Sequence, residues 1–231
     1  AILKRETMGE TTTTEKKHHA SRQERAISLY AESQEGALNP LRNEDAFFVD
    51  SERLAFGVFD GLGGAERGEV ASHLAALYIE GAIATLDPIS SFRKIQEMLG
   101  VVLIETSEAL ALLWRKHRRI IRRLSRGLNT LEDGKLLAEL LSEMRILITE
   151  HKRQHKNFVT PEPFGYGTTA VVGKVISDDA GKRFVAITTV GDSRLYRFKK
   201  SGVLEQCTLD DRSAFVDTLE KRQKLQERLS R

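Results

Sequence analysis

Leu54-Ala55-Phe56-Gly57-Val58-Phe59-Asp60-Gly61-Leu62-Gly63-Gly64 is an apolar run that ends in a carboxylate and then turns through glycines. So short a run, without a polar break and stopped by glycine, reads as a buried strand. Beyond it, residues 66–84 carry Val70, Leu74, Leu77 and Tyr78 at helical spacing. Asp60 therefore stands at the end of a core strand, on a tight turn, ahead of a helix. Two roles fit a carboxylate in that place. It can cap the helix. It can also join other oxygens around a hard divalent cation such as Mg2+ or Mn2+. Gly61 has no Cβ, so its carbonyl is open to close approach.

Immediately upstream, Arg42-Asn43-Glu44-Asp45 leads into the apolar Ala46-Phe47-Phe48-Val49, and Asp50-Ser51-Glu52-Arg53 is turn chemistry. The two apolar runs read as a hairpin, which brings Glu44 and Asp45 beside Asp60. Carboxylates that converge need a cation to remain ionised together, and this favours the metal role over the cap. Ala26-Ile27-Ser28-Leu29-Tyr30-Ala31 alternates and reads as a first strand. Residues 1–23 are polar, with Thr11 to Thr14 and Lys16-Lys17-His18-His19, and read as a flexible leader; residues 24–231 read as one domain.

Downstream, residues 90–156 form a helical segment. Phe92, Ile95, Leu99, Val102, Leu110 and Leu113 mark one amphipathic helix, continuing to about Arg126. Its basic end, from Arg115 to Arg126, reads as a solvated face. Thr130-x-x-Asp133 is a capping box for a second helix through Leu136, Leu140, Met144 and Ile148, and the two helices are expected to pair against a sheet. Residues 168–176 and 183–190 are nearly unbroken apolar or β-branched runs joined by a hairpin loop at 177–181. Their lack of alternation predicts burial on both faces. Residues 195–198 and 203–207 predict another hairpin, and residues 213–231 are charged and helix-prone. Between the hairpins, Gly191-Asp192-Ser193 is turn chemistry that carries a further carboxylate.

Composition narrows the function classes. The 231 residues hold 36 basic and 33 acidic side chains, a net charge of +3, which gives little pull towards nucleic acid. No apolar run approaches the roughly 20 residues of a membrane span, and the polar start has no signal-peptide core. A single cysteine, Cys207, excludes an intramolecular disulfide and fits a reducing cytoplasm, the expected location.

Four segments stand in order: Asn43-Glu44-Asp45, Phe59-Asp60-Gly61-Leu62-Gly63-Gly64, Gly165-Tyr166-Gly167-Thr168-Thr169 and Val190-Gly191-Asp192-Ser193-Arg194. Together, over residues 27–211, they resemble the metal-dependent protein phosphatases of the PPM or protein phosphatase 2C type. The resemblance implies an α+β fold, an α-β-β-α sandwich of two antiparallel sheets flanked by helices. It implies hydrolysis of phosphoserine and phosphothreonine by metal-activated water, with two or three Mn2+ or Mg2+ ions in a complete domain. On that resemblance Asp60 bridges two metals, the Gly61 carbonyl and Glu44 each reach one, Asp45 holds ordered water, and Asp192 helps hold a third ion. Phosphorylated proteins are the implied substrates, with a cognate Ser/Thr kinase system as partner.

The chain departs from the family in three places. Pro40 stands where the family places a phosphate-holding Arg. Arg42 is the candidate substitute, offset by roughly 6–7 Å along a strand. Leu62 cannot donate a proton where some members have His. The late Ser-Asp-Gly and Asp-Asn motifs do not occur before Arg231, so the expectation is the N-terminal two-thirds of such a domain, truncated on its C-terminal side and by itself weak in metal binding and activity. The alternative is a pseudophosphatase, or a regulatory module that binds phosphoprotein without catalysis.

Overall fold

The computed structural model describes residues 27–33, 43–62, 67–86, 92–124, 128–154, 166–178 and 180–211. The leader and residues 213–231 lie outside the described residues, as do Pro40 and Arg42.

The quoted apolar run is β2 (Ala55–Asp60), the antiparallel partner of β1 (Asp45–Asp50). Their turn closes through Asp50, whose Oδ1 accepts the Arg53 N–H at 2.9 Å, and through Leu54 at φ 50°. β3 (Ala170–Ser177) pairs with the other edge of β2, and β4 (Arg183–Val190) pairs with β3. The result is a four-stranded antiparallel sheet in the order β1-β2-β3-β4. β5 (Tyr196–Phe198) and β6 (Leu204–Gln206) form a separate two-stranded antiparallel ribbon. The fold is α+β.

Three helices cover one face of the larger sheet. α1 (Gly68–Ala84) lies on β1 and β2, and α2 (Phe92–Ile121) packs on α1 and β4. α3 (Leu131–Gln154) packs on α2 and α1. Between these layers Phe59, Leu74, Ile79, Ile83, Leu99, Leu113 and Met144 are almost wholly removed from water. Each such side chain contributes about 1.5–3 kcal/mol on burial, before the entropy of ordering it. α1 lies between sheet and helices, so its buried set includes Ala71, Ala75 and Ala76, while Leu77, placed in the apolar stripe by its spacing, is exposed.

The capping box at the start of α3 is formed in both directions. Asp133 N–H donates to Thr130 Oγ1 at 3.0 Å, and Thr130 N–H donates to Asp133 Oδ2 at 3.1 Å. The basic end of α2 is solvated, as its spacing predicts. The helix kinks at His117 and stops at Ile121, ahead of the predicted Arg126.

Two expectations need correction. Residues 27–33 are not a strand: exposure alternates along them, yet they join no ladder among the described residues. Alternation reports one-sided burial, which an extended segment lying on a sheet also satisfies. β4 is not buried on both faces either: Val185 is exposed, while Ala186, on the opposite face, is buried. It is an edge strand, and the helices cover only one side of it.

Candidate functional site

The β1–β2 register sets Asp45 directly opposite Asp60 at the open end of the hairpin. The next pair is held by Gly61 N–H donating to the Glu44 carbonyl at 3.0 Å. Asp45 and Asp60 therefore meet at one mouth, as the hairpin predicted, with the backbones of Glu44 and Gly61 beside them. Gly61 must be glycine here. A Cβ would come within 2.4 Å of the Gly68 carbonyl oxygen and 2.7 Å of the Glu44 carbonyl oxygen. The start of α1 thus presses directly on the strand end. Asp60 does not cap that helix: the N-cap is Arg67, in the left-handed region at φ 66°, with no side-chain cap.

Asp192 reaches the same mouth from the loop after β4. Its loop turns at Gly191, φ 93°, and is clasped by Asp211. Asp211 Oδ2 accepts the Gly191 N–H at 3.2 Å, and the Asp211 N–H donates to the Gly191 carbonyl at 2.8 Å. Asp60 holds its proton more tightly than an ordinary aspartate. Partial burial is the main cause, and Asp45 and Asp192 add negative charge in the same sense. Asp60 stands at the exposed end of its strand, and the two neighbouring carboxylates make this an acidic centre.

Asp45 and Asp60 line a hollow of about 260 Å³ with Tyr30, Phe48, Val58, Ser193 and Arg194. Arg194 is braced by a bidentate pair with Asp210, at 2.9 Å through Nε and 2.6 Å through Nη2. Asp210 and Asp211 thus both hold the Asp192 loop, a job no sequence pattern announced. Thr168 and Thr169 are a further surprise. Asp60's carbonyl accepts the Thr169 N–H at 2.8 Å and the Thr168 hydroxyl at 2.9 Å, and its own N–H donates to Thr169 Oγ1 at 3.1 Å. In the sequence the two hydroxyls stand within the Gly165-Tyr166-Gly167-Thr168-Thr169 segment, which assigns them no role.

The donor chemistry suits a hard cation. Asp45, Asp60 and Asp192 offer carboxylate oxygens that repel one another, and Gly61 brings its backbone without a Cβ. Among the described residues, no group of three or more His, Cys, Asp or Glu side chains is drawn in closely enough to hold a metal ion. The carboxylates converge without forming a closed cage. The phosphate contact expected of Arg42 lies outside the described residues.

Comparisons with known proteins add little. No protein-family model matches the chain, and no curated protein matches it. Among solved structures it is similar to "PppA, a key regulatory component of T6SS in Pseudomonas aeruginosa", at 21% identity and a TM-score of 0.40. The match covers 73% of this chain and half of that one, and a likeness so loose carries no functional argument. No helix among the described residues is long and apolar enough to cross a membrane.

Proposed function

We propose that the chain belongs to a metal-dependent protein serine/threonine phosphatase of the PPM type and carries the acidic end of its active site. The observation that supports this best is the opposed pair Asp45 and Asp60, with Asp192 close enough to hinder Asp60's ionisation. Asp60, Glu44, Asp192 and the Gly61 carbonyl are the groups that would hold Mn2+ or Mg2+. Such ions, when bound, supply a water of lowered pKa and neutralise phosphate charge. The chain's own residues do the positioning. Asp60 is fixed at its backbone by Thr168 and Thr169, Asp45 would orient water, and Arg194 lines the hollow beside them. Leu62 has no acidic proton to donate, so the leaving oxygen would take its proton from solvent. The substrates are phosphoserine and phosphothreonine in proteins, set there by a partner kinase, and the site is cytoplasmic.

The test is Mn2+ uptake together with hydrolysis of p-nitrophenyl phosphate and a phosphothreonine peptide, beside Asp60→Asn. Weak Mn2+ uptake and weak metal-dependent turnover, both lost in Asp60→Asn, are expected. Turnover will be weak if further acids outside this stretch complete the site. Metal-free capture of the phosphopeptide, with neither Mn2+ uptake nor hydrolysis, would overturn the proposal in favour of a phosphoprotein-binding module.

A further inference from the structure

In a regular antiparallel hydrogen-bonded pair, two opposite residues exchange both backbone bonds. The β2–β3 register runs from Ala55 opposite Lys174 to Val58 opposite Val171, and it resumes as an isolated bridge at Gly61 opposite Thr168. By that register Asp60 stands opposite Thr169. Only half of the exchange is made there. Thr169 N–H donates to the Asp60 carbonyl at 2.8 Å, but Asp60 N–H donates to the Thr169 hydroxyl instead of the Thr169 carbonyl. The ladder is diverted through a side chain at the residue that carries the central carboxylate.

The diverted hydroxyl has a second contact. Thr169 Oγ1 lies 2.5 Å from Ser193 Oγ, on the residue next to Asp192. The Thr169 methyl also abuts the turn of that loop: a Cβ on Gly191 would come within 2.8 Å of Thr169 Cγ2. Thr169 is buried, so water does not substitute readily for either partner. One side chain thus touches the backbone of Asp60 and the loop that holds Asp192, two elements from separate parts of the chain.

We propose that Thr169 is a positioning residue that sets the Asp192 loop against Asp60, with Ser193 as its link. This rests on the phosphatase reading for its purpose. It does not rest on it for its geometry. A plain ladder bond would have anchored Asp60 alone; the hydroxyl anchors Asp60 and the loop through one atom. Groups that orient metal-binding side chains in this way typically change metal affinity by about 10–100-fold when removed.

The experiment uses the chain with Thr169→Val, which keeps the shape and loses the hydroxyl, Thr169→Ser, which restores it, and Ser193→Ala, which cuts only the link. Amide NMR spectra are recorded without metal, and Mn2+ affinity is measured by electron paramagnetic resonance. Thr169→Val is expected to move the amides of Asp60, Asp192 and Ser193 together and to weaken Mn2+ binding about tenfold or more. Thr169→Ser should return both towards the parent chain. Ser193→Ala should move the loop amides and leave that of Asp60 in place. Loop amides unmoved in Thr169→Val and Ser193→Ala would overturn the coupling. So would full Mn2+ affinity in Thr169→Val. If the parent chain takes up no Mn2+ and captures the phosphothreonine peptide without metal, the phosphatase reading falls, and the amide spectra still decide whether Thr169 joins the two elements.

Discussion

The larger sheet and the β5–β6 ribbon are built on different physics. β1 and β2 lie beneath α1, and Phe48, Phe56 and Phe59, with Val172 of β3, are closed off from water. In the ribbon, Tyr196, Phe198 and Leu204 are exposed, and the cross-strand ties are ionic. Arg197 and Lys199 both reach Glu205, through Arg197 Nε at 3.0 Å and Lys199 Nζ at 3.2 Å. Apolar burial is worth far more than exposed ion pairs, so stability resides in the sheet and adaptability in the ribbon. The acidic mouth lies on the seam. Asp45 and Asp60 come from the rigid side, while Asp192 comes from the loop leading into the ribbon. The central carboxylate is thus set by the sheet, and the third by the side chains that clasp its loop.

The division can be broken most sharply at the aromatic residues. Phe59→Ala should cost about 3–5 kcal/mol in urea unfolding, whereas Phe198→Ala should stay within about 0.5 kcal/mol. Equal costs would mean that the ribbon is as firmly packed as the sheet. A second contrast uses added volume. A Cβ on Gly57 would fall 2.3 Å from Phe48 Cε1, so Gly57→Ala forces a buried ring aside and should cost about 1–3 kcal/mol. Retained stability in the same unfolding assay would show that the sheet has slack.

The seam itself is probed at Thr208, a buried hydroxyl that accepts the Leu195 N–H at 3.0 Å. Thr208→Val should destabilise the ribbon by about 1 kcal/mol, seen as faster amide exchange in β5 and β6 and unchanged exchange in β2. The smallest effect is that of pH. Hydrogen bonds from Arg197, then Lys199, hold the Glu205 carboxyl below its ordinary range. A carboxylate with a depressed folded pKa supports the fold above its unfolded value and loses that support as pH falls through the folded one. Ribbon amides should therefore exchange faster on acidification from neutrality to below pH 4, relative to the intrinsic rate, while those of β2 and β3 keep their protection. Unchanged ribbon protection would remove Glu205 from the account.

The strands of the sheet were legible in the sequence because each is a short apolar run closed by turn chemistry, and the Asp50 and Asp178 turns form as that chemistry requires. Thr130 and Asp133 were equally legible, since a capping box is local. What escaped was non-local. Alternation over residues 27–33 could not distinguish a paired strand from an extended segment lying on one. Burial of β4 depended on what covers its second face, which no property of its own residues encodes. At the mouth, Asp60, Asp45 and Gly61 follow from one hairpin register. Thr169, Asp210 and Asp211 act across 16 residues or more, through a hydroxyl or a carboxylate that reads as ordinary turn or strand-end chemistry.

The stack of Trp114 on Tyr166 has a consequence of its own. The rings lie 4.8 Å apart and nearly parallel, with the Arg122 guanidinium 5.5 Å from the indole. Trp114 is the single tryptophan, so the chain has one dominant fluorophore, placed on the helix layer and stacked on Tyr166 of the segment that leads into Thr169. The molecule contains its own optical gauge. Its emission colour and lifetime should change when α2 lifts from the strand entry, and stay constant when only the exposed ribbon loosens.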